Sequence, residues 1–168
     1  MKYVVYAALA LLLVPLQVVL LDRISIVGIR PDPVLIAVCL IGLHIGAVDA
    51  IVMGVALGFL QDLFSGGTNW GNLCLKPFIG LLAGLIGRNL VNLTVTVALA
   101  LLMALSMLAG VLMFLLKSLT GAGGDFVMTA WTIILPQACY DAILGVAALK
   151  LLQRWTPRQA SLTASPYE

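Results

Sequence analysis

The chain has 168 residues, of which 62% are apolar and only 10% are charged, against roughly 25% charged residues in a typical soluble domain. Nine basic and seven acidic residues are scattered along it, without the clustered Lys and Arg that nucleic-acid binding requires. This composition excludes a soluble globular domain and a DNA- or RNA-binding protein, and it predicts an all-α polytopic membrane protein.

Six apolar segments follow one another, and together they predict one transmembrane domain over residues 1–152. The first is about as long as a crossing of the roughly 30 Å hydrocarbon core requires. The apolar run from Pro33 to Phe64 is too long for one crossing and too short for two full ones, so we place two short helices there with a turn at Gly46–Asp49. The predicted helices are 3–21, 33–46, 49–64, 71–90, 93–117 and 128–152, and a polar, disordered cytoplasmic tail is expected at 153–168.

The distribution of Lys and Arg predicts the orientation of these helices. With six spans both termini lie on one side of the membrane, and more of the basic residues fall on that side than on the other. Because basic residues are enriched in cytoplasmic loops, both termini are expected in the cytoplasm.

Three pairs of glycines are spaced four residues apart within apolar segments. They are Gly42 and Gly46, Gly54 and Gly58, and Gly80 and Gly84. Small residues at this spacing let two membrane helices approach closely. One expectation is therefore a groove at Gly54 and Gly58 that receives a partner's helix; the alternative is that glycine is simply common in membrane helices.

Ionisable residues within the apolar segments need a partner or a wet cavity. Asp62 and Lys76 flank a Gly-rich turn and are expected to pair across a hairpin, although both side chains could instead reach the membrane surface. Asp141, just after Pro136, is expected to line the interior of the bundle. No catalytic or metal-binding motif accompanies them, so we expect neither an enzyme nor a cofactor.

Two motifs carry a resemblance to a known family. The segment GFLQDLFSGGTNWG followed by a Lys-containing helix, and the run Pro31-Asp32-Pro33 that opens a short helix, resemble the MreD family of bacterial rod shape-determining membrane proteins. The length of the chain and its series of short apolar segments also resemble this family, so the resemblance covers nearly the whole chain. The residues that match the family's motifs are Asp32, Asp62, Gly66, Gly67, Gly71 and Lys76.

This resemblance implies a non-enzymatic subunit of the cell-wall elongation machinery in the bacterial inner membrane. Its implied partners are MreC, bound directly, with MreB, RodA and a class B penicillin-binding protein in the same complex, in addition to membrane lipid. The implied fold is similar to the bundle of the ECF transporter S-components. A vitamin-binding S-component of an ECF-type importer is the alternative function, since it shares the size and the short, broken helices.

Overall fold

The computed structural model describes residues 30–64, 70–90, 94–121 and 123–155 of the chain. These residues form five helices, which we number in chain order. They are α1 (Pro33–His44), α2 (Ala47–Phe64), α3 (Gly71–Arg88), α4 (Val95–Leu119) and α5, a continuous helix made of Phe126–Thr129, the π-helical turn Ala130–Ile134 and Leu135–Trp155. The predicted helix at 3–21 lies outside the described residues. Of the predicted disordered tail at 153–168, residues 153–155 instead form the end of α5, and the rest lies outside the described residues.

Three of the five helices begin where a short polar side chain at the cap position satisfies a free backbone N–H group. Asp32 accepts a hydrogen bond from the Leu35 N–H at the start of α1, and Pro33 occupies the first helical position, where its missing N–H has no cost. Thr94 accepts from the Val97 N–H at the start of α4, and Asp125 accepts from the Val127 N–H at the start of α5.

The turn between α1 and α2 comes earlier than the sequence predicted. α1 ends at His44, and α2 already begins at Ala47. Gly46 has a φ of +137°, a conformation that favours glycine because it carries no Cβ, so the chain reverses there. Asp49, which was placed at the end of the predicted turn, consequently lies within the first turn of α2.

The π-helical turn in α5 ends two residues before Pro136, which is part of the regular helix that follows. Proline has no backbone N–H, and its ring collides with the carbonyl group four residues earlier in a regular α-helix. A wider turn accommodates such a residue without ending the helix. α5 therefore runs through the proline as one membrane-length element.

α1 occupies the centre of the bundle. α2 packs against α3, α4 packs against α5, and α1 contacts members of both pairs. Eight of its 12 residues are buried, because apolar side chains are present on all of its faces. Leu35 and Cys39 of α1 form a core with Ile79, Leu102 and Leu149 of the helices around it.

Within the described residues, three helices are long and apolar enough to cross a membrane: Ala47–Phe64, Val95–Leu119 and Phe126–Leu151. α1 is apolar but has only 12 residues, which corresponds to about 18 Å. α3 has 18 residues and includes Lys76 and Pro77. Together with the apolar composition, these helices identify a membrane protein.

Candidate functional site

Four polar side chains from four helices or their caps meet inside the bundle. We call Asp32, Lys76, Ser106 and Asp141 the polar cluster. Three of them are almost fully enclosed, with exposures of 1% for Lys76, 5% for Ser106 and 1% for Asp141. The side chain of Asp32 is 15% exposed. Buried groups of this kind are stable in an apolar interior only when each has a hydrogen-bonding partner.

The carboxylate of Asp32 serves two helices at once. Its Oδ1 accepts from the Leu35 N–H at 2.9 Å, which caps α1, and its Oδ2 forms a salt bridge with Lys76 Nζ on α3. The partial positive charge of a helix N-terminus favours the same carboxylate. Asp32 therefore ties the first turn of α1 to α3.

Asp141 joins the same end of α1 to α4 and α5. Its Oδ1 accepts from the backbone N–H of Asp32 at 2.8 Å, and its Oδ2 accepts from the Ser106 hydroxyl at 2.6 Å. Ser106 and Asp141 lie near the middle of α4 and α5 respectively. The N-terminus of α1 thus lies at mid-depth in the bundle, and Asp141 lines the interior as predicted.

Asp62 at the end of α2 caps the start of α3. Its Oδ1 accepts from the Asn72 side-chain amide at 2.8 Å and, more weakly, from the Asn72 N–H at 3.3 Å, while its Oδ2 accepts from the Leu73 N–H at 2.9 Å. Trp70, the residue before α3, has a positive φ and makes no capping hydrogen bond through its side chain. The carboxylate of the preceding helix supplies that cap instead, and the Trp70 ring stacks on Phe59 at 5.7 Å.

The predicted pairing of Asp62 with Lys76 is therefore wrong. Asp62 contacts the first turn of α3, whereas Lys76 lies farther along that helix and extends toward α1. The alternative, in which both side chains reach the membrane surface, is also wrong because they are only 5% and 1% exposed. The lysine partner is Asp32, 44 residues away in the sequence.

The glycine pairs on α2 and α3 bring the two helices into backbone contact. A Cβ atom added to any one of Gly54, Gly58, Gly80 or Gly84 would lie within 3.0 Å of the backbone of the opposite helix. The faces that carry these glycines are therefore filled by the chain itself. The expected groove for a partner helix at Gly54 and Gly58 is wrong, since α3 occupies that position.

The remaining motif residues are placed separately. Gly71 is buried at the start of α3, where an added Cβ would meet the Met113 sulfur at 3.2 Å. Gly66 and Gly67 lie outside the described residues. Ser106 was not among the predicted residues, although a hydroxyl near the middle of a 25-residue apolar helix is a group that commonly hydrogen-bonds to a neighbouring membrane helix.

The hydrogen bonds and the salt bridge of these ionisable side chains hold the helices together. Each carboxylate accepts hydrogen bonds from backbone or side-chain groups of another helix, so the ionisable side chains join elements far apart in the sequence. In the part of the chain that the structure describes, no group of three or more His, Cys, Asp or Glu side chains could hold a metal ion.

A comparison with models of protein families identifies the family of the chain. The family model described as rod shape-determining protein MreD matches residues 1–155. No curated protein and no solved structure matched the chain. Since the match extends over most of its length, the chain belongs to the MreD family, and its role is in rod shape determination.

Proposed function

We propose that this MreD-family protein is a non-enzymatic subunit of the cell-wall elongation complex that binds MreC and so helps to position peptidoglycan synthases. MreB, RodA and a class B penicillin-binding protein are the other members of that complex. In this proposal the chain is a multi-pass protein of the bacterial inner membrane with both termini in the cytoplasm. Residues 3–21 add a sixth helix to the five described, in a bundle similar to the ECF transporter S-components.

The observation that most directly supports a scaffold role is that the buried ionisable side chains connect the helices to one another. Asp32, Lys76 and Asp141 connect α1 with α3, α4 and α5, and Asp62 connects α2 with α3. Each contact fixes one helix relative to another. The bundle can therefore present its outer surface in a constant arrangement, which suits a subunit that positions its partners.

The outer surface of this framework is apolar. Large apolar side chains are exposed on every long helix, for example Val52 on α2 at 47%, Leu85 on α3 at 47%, Leu99 on α4 at 39% and Ile143 on α5 at 62%. Lipid provides no hydrophobic driving force between membrane helices, so their association depends on close van der Waals packing of their outer faces. One of these faces is therefore the proposed contact for the transmembrane helix of MreC.

Site-specific photo-crosslinking in membranes tests this proposal. A photoreactive phenylalanine analogue is placed singly at Val52, Leu85, Leu99 and Ile143, and the products are probed for MreC. Crosslinks are expected at one position, or at two on adjacent helices. The matched control is Leu57, which is on the same helix as Val52 but has 0% exposure, so it should give none.

Two results would contradict the proposal. One is the absence of MreC crosslinks at all four exposed positions, together with no recovery of MreC when the chain is purified. The other is saturable, tight binding of a vitamin by the purified chain, which would favour the importer subunit instead.

A further inference from the structure

A cavity opens at the end of the bundle where α1 ends, α2 begins and α3 ends. We call it the turn pocket. It encloses about 410 Å³, and 11 residues line it: Gly42, Leu43, His44, Ile45, Gly46, Ala47, Val48, Gly84, Leu85, Gly87 and Arg88. Five of these are Gly or Ala, so the walls are formed largely by backbone. The polar cluster and the cap at Asp62 make no part of it.

Two side chains that line the turn pocket, Arg88 and His44, can donate hydrogen bonds to an anion. Arg88 is the last residue of α3, His44 is the last residue of α1, and both are exposed. Within the described part of the chain, the Arg88 guanidinium has no acidic partner. A guanidinium offers several N–H donors in a fixed plane, which suits recognition of a phosphate group.

The start of α2 adds backbone donors to the same wall. The first hydrogen bond of this helix runs from the Ala50 N–H to the Gly46 carbonyl, which leaves the N–H groups of the first turn without intrahelical acceptors. Gly46 has no side chain to cap them. Ala47 and Val48 line the pocket, so their end of the helix faces the same space as Arg88.

Apolar side chains border the cationic part of the pocket. Val48 is 76% exposed, Ile45 is 51% exposed and Leu85 is 47% exposed. A free phosphate ion would gain no favourable contact from these apolar side chains. A phospholipid would contact both parts, with its headgroup at Arg88 and His44 and its acyl chains along Val48 and Leu85.

The position of the pocket agrees with a phospholipid as the ligand. Short connections make consecutive helices antiparallel, so the end of α5 lies at the same end of the bundle as the turn pocket. Lys150 and Arg154 are exposed there, which makes this end basic. Basic residues are enriched on the cytoplasmic side of membrane proteins, and the cytoplasmic leaflet carries the anionic lipids. We infer that the turn pocket binds the headgroup of an anionic phospholipid.

Native mass spectrometry of the purified full chain tests this inference, with phosphatidylglycerol and phosphatidylcholine titrated separately into the detergent solution. The wild type is expected to bind phosphatidylglycerol in preference to phosphatidylcholine. Arg88→Gln should bind phosphatidylglycerol about five-fold more weakly, the effect of one basic side chain near an anionic headgroup. His44→Gln is a second variant at an exposed position and should weaken binding less.

The matched control is Arg154→Gln, which removes the same charge at the same end of the bundle but outside the pocket. It should bind phosphatidylglycerol as tightly as the wild type. Equal losses in Arg88→Gln and Arg154→Gln would indicate diffuse attraction to surface charge and would overturn the inference, as would an unchanged affinity of Arg88→Gln. Circular dichroism and gel filtration establish that each variant is folded.

Inorganic phosphate separates the two sources of a phosphate group. Added alone at millimolar concentration, it is expected neither to displace phosphatidylglycerol nor to raise the melting temperature. Displacement by phosphate would show that the pocket takes a free anion and would overturn the lipid assignment. None of these measurements involves MreC, so their outcome is independent of the proposed function.

Discussion

Replacing Lys76 with Met removes the cation of the salt bridge while keeping a long apolar side chain at a position that is 1% exposed. The carboxylate of Asp32 then stays inside the bundle without its ionic partner. Breaking one side of a buried ion pair costs about 3–5 kcal/mol. We therefore expect Lys76→Met to lower the free energy of unfolding by about 3–5 kcal/mol.

The Asp32→Asn/Lys76→Met double variant isolates the ionic contribution. Asn keeps a side-chain oxygen that can cap α1, and neither substituted residue is charged. Because replacing both members of a buried pair is often close to neutral, the double variant should recover most of the loss. Lys117→Met is the matched control, since Lys117 is exposed near the end of α4, and it should change the free energy of unfolding by less than about 0.5 kcal/mol.

Equilibrium unfolding in mixed detergent micelles, followed by circular dichroism, measures all four variants, with Asp32→Asn completing the cycle. A coupling free energy near zero between Asp32 and Lys76 would refute the reasoning. So would a loss for Lys76→Met no larger than that for Lys117→Met, since the buried salt bridge would then contribute nothing beyond a surface charge.

Three further predictions use the same unfolding measurement. Gly84→Ala should destabilise the bundle by about 1–3 kcal/mol through overpacking against α2. Gly124→Ala is the control and should not destabilise it, because no atom lies within 4 Å of the added Cβ. Equal effects of the two substitutions would contradict the close approach of α2 and α3. Asp62→Ala should cost about 1–3 kcal/mol by leaving N–H groups at the start of α3 without acceptors, and Asp62→Asn should recover part of it; an unchanged Asp62→Ala would exclude the capping role. Asp141→Leu should be more destabilising than Asp141→Asn, because Asn keeps an acceptor for the Asp32 N–H. When Asp141 is already Leu, the further change Ser106→Ala should lower the free energy of unfolding very little. If the losses from Asp141→Leu and Ser106→Ala were instead additive, the two side chains would act separately.

The local features of the fold were predictable from the sequence. The start of α1 follows from Asp32 and Pro33, which suit a cap and a first helical position. The long apolar runs predicted α4 and α5 to within three residues at each end. These features depend on neighbouring residues, so the linear pattern contains the information.

The partners of the buried charges were not predictable in the same way. Asp62 was the acidic residue closest to Lys76 in the sequence, yet the lysine pairs with Asp32, which is 44 residues away. The backbone of Asp32 in turn meets Asp141 at a separation of 109 residues. Which helix lies beside α1 depends on tertiary packing, and the glycine pairs indicated close helix contact without indicating that the contact is internal.

The mid-depth start of α1 has a consequence for how the protein is made. A helix of 12 residues is too short to remain across the membrane independently, and the cap residue at its start needs an acceptor that is synthesised 109 residues later. During synthesis, therefore, α1 reaches its final position only after α5 has entered the membrane. Chains truncated before Asp141 should contain the first helices but lack the arrangement around α1, and membrane proteases should remove them faster than the full chain.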